Sequence, residues 1–423
     1  MINSIKMRKL FIGFMALAMA SVLSLTSCGS KKNSESAADS VAVSSKYPAN
    51  SPVAKYGALQ VKGLQLSDKD GNPVQLAGMS TMGWQWCKEC YTKESVAALI
   101  KDWNVNVLRL AMYVEEGGYN TNPAEYRDMM CNLIDICGEL GIYCIVDWHI
   151  LNPGNPKSEK YADAENFFRF IANKYAGADH VLYEICNEPN NCQAKENKEK
   201  PWECTREENV DWDLIADYAN KIIPVIFSAA DSVKAAHPIV IVGTPQWDQL
   251  VDACLKEGMF QGNNKDLSDP LPARDARLKF DNVMYAFHFY AKSHNEGFEK
   301  EGKPNYYDMY SYMYDVLGKL PVFCSEFGSV EAHGGGDPDF NRTDKWLLML
   351  SGNNAGNQKV SFCNWSFSDK DETSAALVPG ACAKGDWNAT TPSGAYMKKV
   401  LAVVNAGVQD TSVLKETNKY FKK

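Results

Sequence analysis

The chain has 423 residues and a formal net charge of −8. Six Lys/Arg against two Asp/Glu put +4 on residues 1–52, which leaves −12 on the remainder. So acidic a body is a poor partner for nucleic acid or other polyanions and suits a neutral substrate.

The first segment reads as an export signal. Lys6, Arg8 and Lys9 make a basic start, and Leu10 to Leu25 is apolar but too short and too Ala/Ser-rich for a stable span. It ends in Leu25-Thr26-Ser27-Cys28. That ending resembles a bacterial lipobox, which would make Cys28 the lipidated first residue of the mature protein. Residues 1–28 are therefore expected to be a signal peptide. Residues 29–52, rich in Ser, Ala, Lys and Asn, are expected to be a flexible tether. A chain exported and held to the cell envelope by lipid alone follows, with its body at residues 53–408 and a tail at 409–423.

The body opens with alternating apolar residues, Leu59 to Leu66, and a turn signal at Asp70-Gly71-Asn72, which together predict a short β-hairpin. Apolar runs of strand character then recur at 74–79, 105–112, 143–149, 181–187, 238–242, 283–290, 321–326 and 360–367. Helical spacing fills the gaps at 92–103, 123–140, 163–176, 210–236, 306–317, 337–350 and 394–404. The fifth unit is the vague one: a helix is expected near 247–258, followed by a loop with Pro270 and Pro272. Strands buried on both faces with helical crossovers, repeated eight times, predict an α/β fold, a (β/α)8 TIM barrel. A doubly wound sheet would place a Gly-rich phosphate loop after its first strand, and Leu76 to Ser80 is not one.

Twelve cysteines follow Cys28. Cys192 and Cys204 are candidates to close one polar loop, and Cys87 and Cys90 have CxxC spacing without the second pair a zinc site needs. The six histidines are dispersed, so no metal and no cofactor is expected.

In such a barrel the reactive groups sit at the C-terminal ends of strands. Those positions hold Arg109, Asp147 to His149, Asn187 with Glu188, His288 with Tyr290, Glu326, and Trp365. Glu188 and Glu326 fall on the fourth and seventh strands, which face each other across the mouth. Two opposed carboxylates about 5–5.5 Å apart would make a retaining glycosidase, and about 6.5–9.5 Å an inverting one.

Residues 56–405 resemble glycoside hydrolase family 5, in particular its bacterial endoglucanase branch. The matching blocks are Gly78–Gly83 (GMSTMG), Val107–Tyr113 (VLRLAMY), Val146–His149 (VDWH), Tyr183–Pro189 (YEICNEP), His288–Ala291 (HFYA), Pro321–Gly328 (PVFCSEFG) and Asn364–Glu372 (NWSFSDKDE). The resemblance implies that Glu188 is the acid/base and Glu326 the nucleophile. Arg109 and Tyr290 are suited to hold Glu326 ionised, His288 to tune Glu188, and Asn187 to bond a sugar 2-hydroxyl. His149 is a candidate for a sugar hydroxyl or for support of this network. Trp365 offers a face for sugar stacking, with Trp84, Trp86 and Tyr113 as further candidates. Lys370 and Glu372 match family positions that grip distant sugars. Three departures bear on specificity: Met82 where the family commonly has His, Phe327 where Trp is usual, and an insertion at Asn191–Glu208. The expected activity is retaining endo-β-1,4-glucanase acting on a β-glucan, as a monomer. Alternatives are a β-mannanase, xyloglucanase or mixed-linkage glucanase, or a non-catalytic surface glycan-binding lipoprotein.

Overall fold

A computed structural model describes residues 46–152, 154–190, 192–194, 204–206, 210–256, 273–294 and 309–406. Cys28, the signal segment and the tail at 409–423 lie outside the described residues.

Among the described residues a short helix at Pro52–Tyr56 leads into a hairpin, β1 (Gln60–Lys62) against β2 (Gln65–Ser67). Its reversal comes at Gly63, at φ +61°, inside the run read as one strand; Asp70 to Asn72 form a second turn after it. Barrel strands β3 (Ala77–Ser80), β4 (Val107–Tyr113), β5 (Tyr143–His149) and β6 (Val181–Glu184) follow. A small antiparallel pair comes next, β7 (Cys192–Ala194) with β8 (Cys204–Arg206), inside the segment read as an insertion. Strands β9 (Val240–Val242), β10 (Val283–Tyr290), β11 (Val322–Gly328) and β12 (Phe362–Asn364) complete a closed parallel barrel in which β12 pairs with β3. The TIM barrel expected from the alternation is the fold found.

Each barrel strand sends alternate residues inward. Along β5, Cys144, Val146 and Trp148 join the large cluster under the helices, whereas Tyr143 and Ile145 join a second, inner cluster. That inner cluster also holds Val107, Leu182, Ile241, Met284 and Phe323, and it is sealed at the strands' N-terminal end by Val53, Leu59, Leu66 and Val74. The N-terminal segment thus plugs the barrel floor. The Tyr143 hydroxyl donates to the Gly57 carbonyl at 2.7 Å across that seam. Tyr47 and Ser51 are buried in the same region, so the folded body begins several residues before the boundary expected at 53.

The inner file changes character upward: above Ile145 come Asp147 and His149, above Val107 comes Arg109, above Leu182 comes Glu184. Apolar residues fill the floor and polar ones the mouth. Strand β11 carries a register shift against β10, with Phe323 opposite Ala286 but Glu326 opposite His288. The additional residue lets both Ser325 and Glu326 reach groups at the mouth, the re-aiming a bulge produces.

Candidate active site

Arg109 organises the mouth. Fully buried, it donates from Nε to Glu184 Oε2 at 2.6 Å, from one terminal nitrogen to Glu326 Oε2 at 2.9 Å, and from the other to Asn187 Oδ1 at 2.7 Å. Asp147 Oδ2 lies 3.0 Å from that last nitrogen. A guanidinium surrounded by three carboxylates is a fixed positive charge in a low-dielectric site.

Glu326 receives a second bond, from the Tyr290 hydroxyl to Oε1 at 2.7 Å. Burial alone would raise its pKa, but His288, Arg109 and the Tyr290 bond together hold it below the ordinary Glu range. Glycine at 328 makes this geometry possible: a Cβ there would stand 2.5 Å from the Tyr290 ring.

Glu188 sits in the opposite environment. Burial raises its pKa, and the Glu326 charge raises it further, against the pull of a hydrogen bond with His288. The His288 ring bridges, with Nδ1 3.0 Å from Glu188 Oε1 and Nε2 2.9 Å from the Ser325 hydroxyl. Burial alone would lower the His288 pKa; Asp248, Glu184 and Glu188 overcome it and hold the ring protonated well above the usual range. Glu188, His288 and Glu326 each bring one ligand atom to within 4.8 Å of the others, so a carboxylate oxygen of each Glu lies within that distance. That spacing belongs to the retaining rather than the inverting range. Glu184, Asp248 and His288 form a second such trio.

Asn187 gives one amide hydrogen to the Ile150 carbonyl at 3.0 Å while its oxygen faces Arg109, which fixes the orientation of its amide. His149 is clamped by Asp147 at 2.7 Å and packs its ring against both Tyr113 and Trp365, with centroids at 4.4 and 5.4 Å, while those two rings also meet each other at 6.5 Å. Burial, with the Arg109 charge second, lowers its pKa to about 3, so the ring is neutral and acts as part of an aromatic wall. Trp86, 48% exposed, packs edge-on against Tyr113 and continues that wall outward.

Trp84 departs from expectation. It is 1% exposed, lies parallel to the Tyr126 ring and donates its indole N–H to Thr81 at 3.1 Å, so it packs beneath the loop instead of presenting a face. Lys370 and Glu372 pair with each other at 2.6 Å, and Ser374 donates to Glu372 at 2.7 Å, so the carboxylate is held in place. Met82 is buried, its backbone N–H donating to the Tyr91 hydroxyl at 2.6 Å. Phe327 points into the core and stacks on Phe289 at 5.1 Å, away from the mouth.

Three residues of the network escaped the sequence reading: Glu184, Asp248 and Ser325. Ser325 donates to Glu184 at 2.6 Å and contacts His288. Glu184 carried a usable signal, a charge within an apolar strand run, which requires a buried partner. Asp248 carried none, because the fifth unit turns in a way no helical spacing encodes.

A family model described as "Cellulase (glycosyl hydrolase family 5)" matches residues 67–371. Endoglucanase E-5 of Thermobifida fusca is 36% identical over 353 residues, 83% of this chain and 65% of that protein. An endoglucanase of Clostridium saccharobutylicum is 34% identical over 372 residues, 86% of this chain and 70% of that protein. The chain thus spans about two thirds of these relatives' length. Among solved structures, cellulase Cel5C_n aligns with a TM-score of 0.68 at 38% identity, over 84% of this chain and 95% of its own. The catalytic domain of Thermobifida fusca endoglucanase Cel5A, in complex with cellotetraose, aligns with a TM-score of 0.67 at 34% identity, over 83% and 99%.

Proposed function

The chain belongs to the cellulase family, glycosyl hydrolase family 5, and from that premise we propose that it is a retaining endo-β-1,4-glucanase with Glu326 as nucleophile and Glu188 as acid/base. The observation that carries this is the pair of carboxylates with oxygens within 4.8 Å, Glu326 with its pKa pulled below the ordinary Glu range and Glu188 with its pKa raised above it by their surroundings. In the first step Glu326 attacks the anomeric carbon while Glu188 gives its proton to the departing glycosidic oxygen. In the second, Glu188 takes a proton from water, which displaces Glu326 and restores the starting configuration. Arg109 and Tyr290 keep the Glu326 lone pairs in place. The second amide hydrogen of Asn187 is available for the sugar 2-hydroxyl, and the Trp365 face for the ring.

Relatives at 34–36% identity are named endoglucanases, and one of the aligned structures holds cellotetraose. Both favour a β-1,4-glucan. Lys370, Glu372 and Trp86 are assigned to sugars further from the cut, and Met82 removes a hydroxyl donor near them. The signal and lipobox residues support the reading that the protein is held at the cell envelope through lipid on Cys28. The test sets cellulose derivatives, mixed-linkage glucan, xyloglucan and mannan side by side, sizes the products and reads the anomer of early products by NMR. Internal cleavage of the β-1,4-glucan with retention is expected. An inverted product would refute the mechanism, and faster turnover of mannan or xyloglucan would replace the substrate.

A further inference from the structure

Glu188 has φ +44°, a left-handed backbone that a residue with a Cβ adopts only when its surroundings enforce it. The enforcing contacts come from the end of the fifth barrel strand. Gln246, Trp247 and Asp248 are themselves left-handed, with φ of 61°, 58° and 59°. That turn brings the Trp247 N–H to the Pro189 carbonyl at 3.2 Å and the Asp248 Oδ2 to the Glu188 N–H at 3.1 Å. On the other side Asn190 donates to the Glu188 carbonyl at 2.8 Å.

The same Asp248 oxygen lies 3.4 Å from His288 Nε2, and the other nitrogen of that ring meets the Glu188 carboxyl at 3.0 Å. A closed circuit results: Glu188 main chain, Asp248 carboxylate, His288 ring, Glu188 side chain. One fully buried residue grips the acid/base by both ends.

We infer that Asp248 is a positioning residue for the acid/base, holding the Glu188 main chain in its left-handed turn and fixing the charge of the ring that bonds the Glu188 carboxyl. The inference rests on the acid/base role of Glu188 proposed above. The groups facing His288 are Glu184 and Glu188 from the fourth barrel strand and its end, Asp248 from the fifth, and Ser325 with Glu326 from the seventh. Arg109 stands behind Glu184, and Asp147 lies beyond it. Protons in such a cluster belong to the group as a whole. Burial raises the Asp248 pKa to about 7, with Glu184 and Glu188 adding to it against the pull of His288. As pH rises past that point Asp248 gains charge, and the negative charge tightens the hold on the next proton to leave. Whether that proton sits on His288 or on Glu188, removing the Asp248 charge makes it easier to lose.

The test compares wild type, Asp248→Asn and Asp248→Ala, after thermal melts show each folded. The first measurement is kcat/KM against pH on a cello-oligosaccharide, whose leaving group needs a proton. Asp248→Asn keeps an oxygen acceptor but not the charge, and its alkaline limb is expected to move to lower pH by about one unit. Asp248→Ala loses both, and is expected to fall about 100-fold on the oligosaccharide at the optimum. On 2,4-dinitrophenyl β-cellobioside, whose leaving group departs without a proton, kcat/KM of both variants should stay within about threefold of wild type. An alkaline limb unmoved within about 0.2 unit, or equal losses on both substrates, would overturn the inference. Glu188→Ala run beside them separates the two failures: if it loses activity equally on both substrates, it is the acid/base reading of Glu188 that falls.

Discussion

Glu326 and Glu188 face each other with pKa values shifted in opposite directions, so the acid limb of the pH profile reports the first and the alkaline limb the proton that Glu188 shares with His288. With Glu326 as the proposed nucleophile, its protonation below a depressed pKa stops attack; with Glu188 as the proposed acid, loss of its proton above a raised pKa ends catalysis. Activity therefore occupies the window between, and removing Arg109 or Tyr290 should move the acid limb to higher pH. Glu326→Ala is expected to abolish hydrolysis with an unchanged circular dichroism spectrum, and substantial residual turnover would sink the nucleophile assignment. Gly328→Ala is a finer test. The added Cβ would lie 2.5 Å from the Tyr290 ring, which must shift and loosen its bond to Glu326. A fall in kcat of about tenfold, with KM little changed, is expected from loss of one such aligned donor. At this scale the sequence revealed the groups at strand ends, because strand ends are fixed by pattern. It did not reveal Asp248, whose place depends on three successive left-handed residues, nor that Trp84 turns inward to Thr81 while Trp86 turns out.

Secondary structure was legible where one pattern persisted. The strands at 143–149 and 283–290 and the helix at 123–140 have the bounds that periodicity predicts, each with a clean cap or a continuous buried run. In the fifth unit, where a helix was expected near 247–258, the described residues hold only a short turn at Pro245–Asp248 and a 3₁₀ segment at Val251–Leu255. No helical face repeats there, because its turn is shaped to meet Pro189 and Glu188 rather than to bury a stripe. The hairpin was foreseen and its function was not: it stoppers the barrel floor, remote from the mouth along the strands. Leu66, 1% exposed, belongs to that stopper. Leu66→Ala should cost about 2–5 kcal/mol of stability. The same variant should leave KM and the pH profile unchanged at a temperature where it stays folded. Altered KM there would mean that floor and mouth are coupled.

Among the described residues a disulfide joins the first barrel unit to the last. Cys90, in the loop after β3, is bonded to Cys382, beyond β12, at a sequence separation of 292. The CxxC spacing of Cys87 and Cys90 does not give this pairing: Cys87 is a free buried thiol, pushed up to about 11 by burial. Pairing across the closing seam is a property of the closed ring, which no local spacing reveals. Cys192 stands opposite Arg206 in the backbone register, and its expected bond to Cys204 lies outside the described residues. A link enclosing so long a loop restricts the unfolded chain most, by about 2–4 kcal/mol in practice. Asp369 ties the same seam by accepting the Cys382 N–H at 3.0 Å. Glu188, just past the end of β6, and Glu326, on β11, lie away from the β12–β3 pair that this link spans. Cys90→Ser with Cys382→Ser should therefore lower the thermal midpoint by roughly 3–6 °C while kcat at low temperature is preserved. Full reduction should lower the wild-type midpoint by more than it lowers that of the double variant. If instead kcat falls at low temperature, the link shapes the mouth as well as the unfolded state, and the loop carrying Trp86, four residues before Cys90, is where substrate length dependence would change.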